Sequence, residues 1–143
     1  MYQSFCLLAE NQTCPFYSNL KEIIKQMTDH SNKPLLDGKS MDYTYEGGWR
    51  FKVRFYNGMA AYEFLGQEGE NVSNSNKDIP YQCREIRDNL FHVVWHEINI
   101  GDVVSLVIDL ERNRIYSAAL LGYRQPDFTL HFEAGDIHSF KTE

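Results

Sequence analysis

From residue 35 onward, apolar and polar positions alternate with the two-residue period of β-strands. The clearest run is WRFKVRFY, residues 49–56. It places Trp49, Phe51, Val53 and Phe55 on one face and Arg50, Lys52 and Arg54 on the other. Asn57-Gly58 follows, a dipeptide suited to a two-residue hairpin turn, and MAAYEFLG reads as the return strand. SMDYTYE precedes this pair as a first strand. Beyond it, GQEGENVSNSNKD (66–78) is rich in Gly, Asn and Ser and reads as a mobile loop. IPYQCREIR, LFHVVWHEI, DVVSLVIDL, RIYSAALLGY, QPDFTLHFE and a short DIHSFK then succeed one another across close turns. About eight strands in this order predict an up-and-down antiparallel β-barrel, with room inside for one small ligand.

Residues 14–31 have a different period. Pro15 suits a first helical turn, and Phe16, Leu20, Ile23, Ile24 and Met27 form one apolar face at helical spacing. Pro34 disfavours helix at Lys33 and ends the segment. The expected organisation is one mainly β domain, 1–143, in which a helical addition (1–34) packs on one end or the outside of a barrel (35–143).

Composition narrows what such a barrel can do. A net charge of -6 argues against a nucleic-acid partner. Aromatic residues make up 14% of the chain, more than an aliphatic core needs, which suits an aromatic-lined pocket. No apolar run is long enough to cross a membrane. The N-terminus lacks the basic start and apolar stretch of a signal peptide, so a cytoplasmic protein is expected. Cys6, Cys14 and Cys83 form no CxxC pair and are expected to be reduced. No metal and no cofactor are expected.

Two stretches carry candidate chemistry. In YTYEGGW (43–49), Tyr43 and Tyr45 point the same way and present two phenols on one face. Buried phenols need hydrogen-bond partners, and a ligand can supply them. In LFHVVWHEI, Phe91, Val93, Trp95 and Glu97 share a face whose first three members are large and apolar. A strand that turns these inward carries Glu97 into or beside the cavity, where burial tunes a carboxyl for proton transfer near neutral pH. His92 and His96 lie on the opposite face and read as solvent-facing. His131, His138, Ser105 and Ser117 have nothing in the local sequence that marks them as catalytic.

At these residues the chain resembles the bacterial phenolic acid decarboxylases. YTYEGGW is close to that family's Tyr-Thr-Tyr-Glu-x-Gly-Trp. LFHVVWHEINIGDVVSL (90–106) is similar to its strand ending Trp-x-Glu followed by Gly-x-x-Val-Ser-Leu. RIYSAALL and QPDFTLHFEAGDIHSF extend the likeness in pattern, so that it spans residues 41–140. A looser resemblance is to the MoaF-like proteins, which share the same calycin, or lipocalin-like, barrel. The resemblance implies a cofactor-free barrel in which Tyr43 and Tyr45 position a hydroxycinnamic acid and Glu97 transfers a proton. Two departures stand out. The family's carboxylate-binding arginine has no counterpart in residues 66–81, and losing it removes a strong anion anchor. A counterpart of the family's C-terminal extension is likewise not expected.

The leading expectation is therefore a lipocalin-like barrel that binds a small aromatic or apolar ligand. Its cavity is lined by Tyr43, Tyr45, Trp49, Phe51, Tyr62, Trp95 and Glu97. The alternatives are a phenolic acid decarboxylase, a carboxy-lyase with Glu97, Tyr43 and Tyr45 as its catalytic set, and a non-catalytic interaction protein acting as a homodimer.

Overall fold

The computed structural model describes residues 19–24, 33–67 and 74–143. The chain divides into two compact units, Met1–Ser31 and Asn32–Glu143. In the first, residues 19–24 are helical and exposed, and the rest of the expected 14–31 helix lies outside the described residues. Cys6, Cys14 and the acidic stretch 68–73 lie outside them too.

The second unit is a closed barrel of eight antiparallel strands. These are β1 (Lys39–Tyr45), β2 (Arg50–Tyr56), β3 (Met59–Gly66), β4 (Asn74–Arg87), β5 (Leu90–Glu97), β6 (Asp102–Asp109), β7 (Arg114–Leu121) and β8 (Thr129–Thr142). Each pairs with the next, and β8 returns to β1. Closure satisfies every strand edge within the sheet. The turns form where left-handed backbone is cheapest. Asn57 (φ 50°) and Gly58 (φ 72°) join β2 to β3, and Asn89 (φ 60°) joins β4 to β5.

Along β1, β2 and β5 side chains alternate in and out as the sequence patterns predict. Met41, Phe55, Val93, Leu106, Ile108 and Ile115 are fully buried and fill one half of the interior. The turn at residues 35–38 closes that end. Leu36 is buried, and Asp37 accepts hydrogen bonds from the Gly58 backbone N–H and, at 2.7 Å, from the Tyr81 hydroxyl. Burial pushes the Cys83 thiol up to about 11, so it behaves as a small apolar group.

Three expectations change. Residues 74–78, read as loop, open β4: Asn74, Ser75 and Asn76 pair with Phe64, Glu63 and Tyr62. A register shift between Ala60 and Tyr62, with Asp78 at φ 56°, marks a β-bulge. The Tyr56 hydroxyl donates to Asp78 Oδ1 at 2.8 Å and steadies that bulge. The expected break between QPDFTLHFE and DIHSFK is likewise absent, and both belong to β8. Gly135, which signals a turn in sequence, sits inside the strand opposite Tyr45 because the sheet leaves no space for a side chain. A Cβ there would lie 2.5 Å from the Thr44 carbonyl oxygen. Trp49, expected within β2, precedes it and is 39% exposed.

Candidate functional site

The other half of the barrel is hollow. A cavity of about 370 Å³ is lined by all seven residues singled out in the sequence: Tyr43, Tyr45, Trp49, Phe51, Tyr62, Trp95 and Glu97. Successive inward positions on β1 and β5, single contributions from β2 and β3, and Trp49 just before β2 bring them together. The rings of Tyr43, Tyr45, Phe51 and Tyr62, with Phe64 and Trp49, meet in a continuous cluster. Tyr43 stacks on Phe51 with centroids 5.7 Å apart, Tyr45 meets Tyr43 edge-on at 5.2 Å, and Phe51 contacts Tyr62 and Phe64. Such offset and edge-on pairs are the favoured aromatic geometries.

Glu97 is 3% exposed and closes one wall. The Trp95 indole N–H donates to its Oε1 at 3.0 Å. The Asn76 amide and the Tyr62 hydroxyl donate to its Oε2 at 2.7 and 3.0 Å. Indole and amide N–H groups can only donate, so both carboxyl oxygens serve as acceptors. Asn76 reaches this position because the bulge at Asp78 switches which β4 side chains face inward, with Ile79 and Asn76 both turned in. Sequence reading missed Asn76 for that reason, having placed it in a loop.

The phenols are held neutral. Burial, followed by the neighbouring Tyr45, raises the Tyr43 hydroxyl well above its ordinary range; burial also raises Tyr45. Burial and the nearby Glu97 raise Tyr62. All three phenols therefore keep their hydrogen and none is a phenolate; Tyr62 gives its hydrogen to Glu97 and is left an acceptor toward a ligand.

A second polar group stands on another wall. Tyr45, edge-on to Tyr43, and Ser117 line the cavity there. Ser117 Oγ lies 3.3 Å from His131 Nδ1, and His131 Nε2 lies 2.9 Å from Glu133 Oε2. Tyr45 also packs edge-on against the His131 ring at 4.9 Å. Ser117 could have been noticed, because it interrupts the apolar inward face Ile115, Ala119 and Leu121 of β7. His131 and Glu133 could not. On β8 the apolar members of the alternation, Leu130 and Phe132, point outward at 69% and 84% exposure. The polar set faces in, contrary to the usual rule.

His92 and His96 lie away from the cavity. Their Nε2 atoms contact Ser105 Oγ at 2.9 Å and the Tyr123 hydroxyl at 2.7 Å. Asp102 reaches the cavity wall and accepts a hydrogen bond from the Gly122 backbone N–H at 2.7 Å. Among the described lining residues there are two carboxylates, Glu97 and Asp102, and neither lysine nor arginine.

Fold and site together define a closed antiparallel barrel with an aromatic cavity, an arrangement consistent with ligand binding. Residues 37–138 match the family model described as MoaF-like, and the chain belongs to that family. In three dimensions the chain is similar to a "putative beta-lactamase" from Burkholderia vietnamiensis. The TM-score is 0.58 at 14% identity over 76% of this chain and 98% of that one, a likeness of fold alone. No curated protein sequence matches the chain. No helix among the described residues is long and apolar enough to cross a membrane.

Proposed function

We propose that this protein binds a small, flat, uncharged aromatic ligand inside the barrel. The observation that carries the proposal is the 370 Å³ cavity walled by aromatic rings, with hydrogen-bonding groups on two sides. Its volume falls in the range of about 300–1,000 Å³ expected of small-molecule sites. Stacked and edge-on rings favour a planar guest, and the neutral tyrosine hydroxyls suit a phenol or carbonyl oxygen. An anionic guest is disfavoured, because Glu97 and Asp102 line the wall and no cation among the described lining residues offsets them. Titration with 4-vinylphenol, indole and p-coumarate, followed by tryptophan fluorescence, tests this. Saturable quenching by the neutral ligands, weaker with the carboxylate, is expected. Quenching by none of them would sink the proposal.

A second reading is favoured by one observation: the tyrosine pair and Glu97 of the decarboxylase resemblance line a single cavity. In that reading the phenol loses a proton while the alkene carbon next to the carboxylate gains one through Glu97. The resulting quinone methide expels carbon dioxide, and the released electron pair restores the aromatic ring. Tyr43 and Tyr45 would hold the substrate carboxylate. Loss of the p-coumarate ultraviolet band, with 4-vinylphenol appearing, would establish the activity, and Glu97→Gln should abolish it. No conversion with wild-type protein removes the decarboxylase and leaves the binding barrel intact.

A further inference from the structure

The wall built by β7 and β8 carries an arrangement that ligand binding does not require. His131 is held from both sides. Its Nε2 faces Glu133 Oε2 at 2.9 Å, and the other Glu133 oxygen accepts the Gly47 backbone N–H. A ring nitrogen facing a carboxylate carries the hydrogen, which leaves the Nδ1 lone pair directed at Ser117 Oγ, 3.3 Å away. The histidine tautomer is thereby assigned from its two partners. Ser117 and His131 both line the cavity, so this base and its serine open onto ligand space.

We propose that Ser117 is a nucleophile with His131 as its general base and Glu133 as the positioning residue, giving the barrel hydrolase activity toward small, uncharged aryl esters. The logic is that of an activated hydroxyl whose base is oriented by a third group. Ser117 Oγ attacks the ester carbonyl carbon while His131 Nδ1 takes the hydroxyl proton. The carbonyl oxygen gains the negative charge. Tyr45 lines the same cavity and packs edge-on against the His131 ring at 4.9 Å, so its hydroxyl is the donor at hand for that oxyanion. As the tetrahedral centre collapses, the ester C–O bond breaks and the phenol leaves with the proton from His131. Water then attacks the acyl–serine with His131 again as base, and the carboxylic acid departs as Ser117 recovers its hydrogen.

The lining selects the substrate. The aromatic cluster fits the aryl group. Ala119 and Leu121 follow Ser117 on the same inward face of β7, which suits a short acyl chain. The Glu97 and Asp102 carboxylates disfavour a negatively charged ester.

The test uses the whole chain with p-nitrophenyl acetate and with a small fluorophosphonate, whose P–F bond is exchanged for an Oγ–P bond with release of fluoride. Expected are p-nitrophenol release and a single adduct that peptide mass spectrometry maps to Ser117. Ser117→Ala, shown folded by circular dichroism, should lose on the order of a hundredfold or more of kcat/KM. Glu133→Gln should lower kcat with KM unchanged, and Glu133→Asp should restore part of the loss, a pattern that a merely structural role does not give. The proposal is overturned if wild-type protein neither hydrolyses the ester nor takes up the label. It is also overturned if the label maps to another residue, or if folded Ser117→Ala retains full turnover. The labelling arm stands even where the alanine variant does not fold.

Discussion

Along β1 and β2 the interior changes from solid to hollow within a few residues. Met41 and Phe55 are sealed in a close-packed half, with Phe55 edge-on to Tyr81 at 4.9 Å. Tyr43 and Phe51, two and four positions away, border open space. The same change runs along β5, from Val93 to Trp95 and Glu97. Close-packed aliphatic side chains together with Phe55 and Tyr81 fill the first half, where dispersion and burial dominate. Rings bearing hydroxyls wall the second half, where each polar group needs a partner. Among the described residues no buried side-chain nitrogen or oxygen lacks one. The barrel is therefore stabilised at one end and can spend its other end on recognition.

The sharpest way to break this contrast is to hollow the packed half. Leu106→Ala or Ile108→Ala should destabilise the barrel by about 2–5 kcal/mol, because both side chains are completely buried. Thermal unfolding reads the loss, while the protein that remains folded should bind ligand as wild type does. Next in size is Gly135→Ala, where the added methyl meets the Thr44 carbonyl. A cost of roughly 1–3 kcal/mol is expected. Displacing β1 there moves Tyr45, so ligand affinity should fall together with stability.

Changes confined to the hollow half should reverse the balance. Tyr62→Phe removes one of three donors to Glu97 and should cost about 0.5–1.5 kcal/mol or less in stability, because Asn76 and Trp95 still hold the carboxylate. Ligand affinity, measured by calorimetry, should change more than the melting temperature does.

The smallest effect concerns the outer face of β1. Arg50, hydrogen-bonded to the Asp42 oxygens at 2.9 and 2.6 Å, holds that carboxyl below its ordinary value of 3.8. A lowered folded-state value stabilises at pH above 3.8 and is lost as pH falls through the folded-state value. Arg50 is half exposed, so the pair is worth no more than about 1 kcal/mol. Acid unfolding of Asp42→Asn should therefore differ slightly from wild type near neutral pH and converge with it in strong acid.

How far the sequence speaks also divides along these lines. Alternation in WRFKVRFY and LFHVVWHE revealed strands and inward faces, and Asn57-Gly58 revealed its turn, because local sterics decide all three. Tyr43, Tyr45 and Glu97 were legible as cavity residues because period-two spacing carries them inward with apolar neighbours. Asn76 was not, since its direction depends on a bulge set by pairing with β3. The break expected between QPDFTLHFE and DIHSFK is absent because Gly135 between them serves close approach of strands, and a glycine used that way looks the same in sequence as one used for a turn. His131 and Glu133 were hidden by Leu130 and Phe132, whose outward placement inverts the rule that assigns strand faces.

The central claim, that one half of the barrel is a ligand site and the other a packed core, is tested most directly by amide and indole NMR. Titration of the labelled protein with 4-vinylphenol should shift the Trp95 indole N–H and the amides of Tyr43, Tyr45 and Ser117 along one saturable curve. The amides of Leu106, Ile108 and Ile115 should stay nearly fixed. Shifts concentrated in the packed half, or no saturable shift at all, would contradict the account.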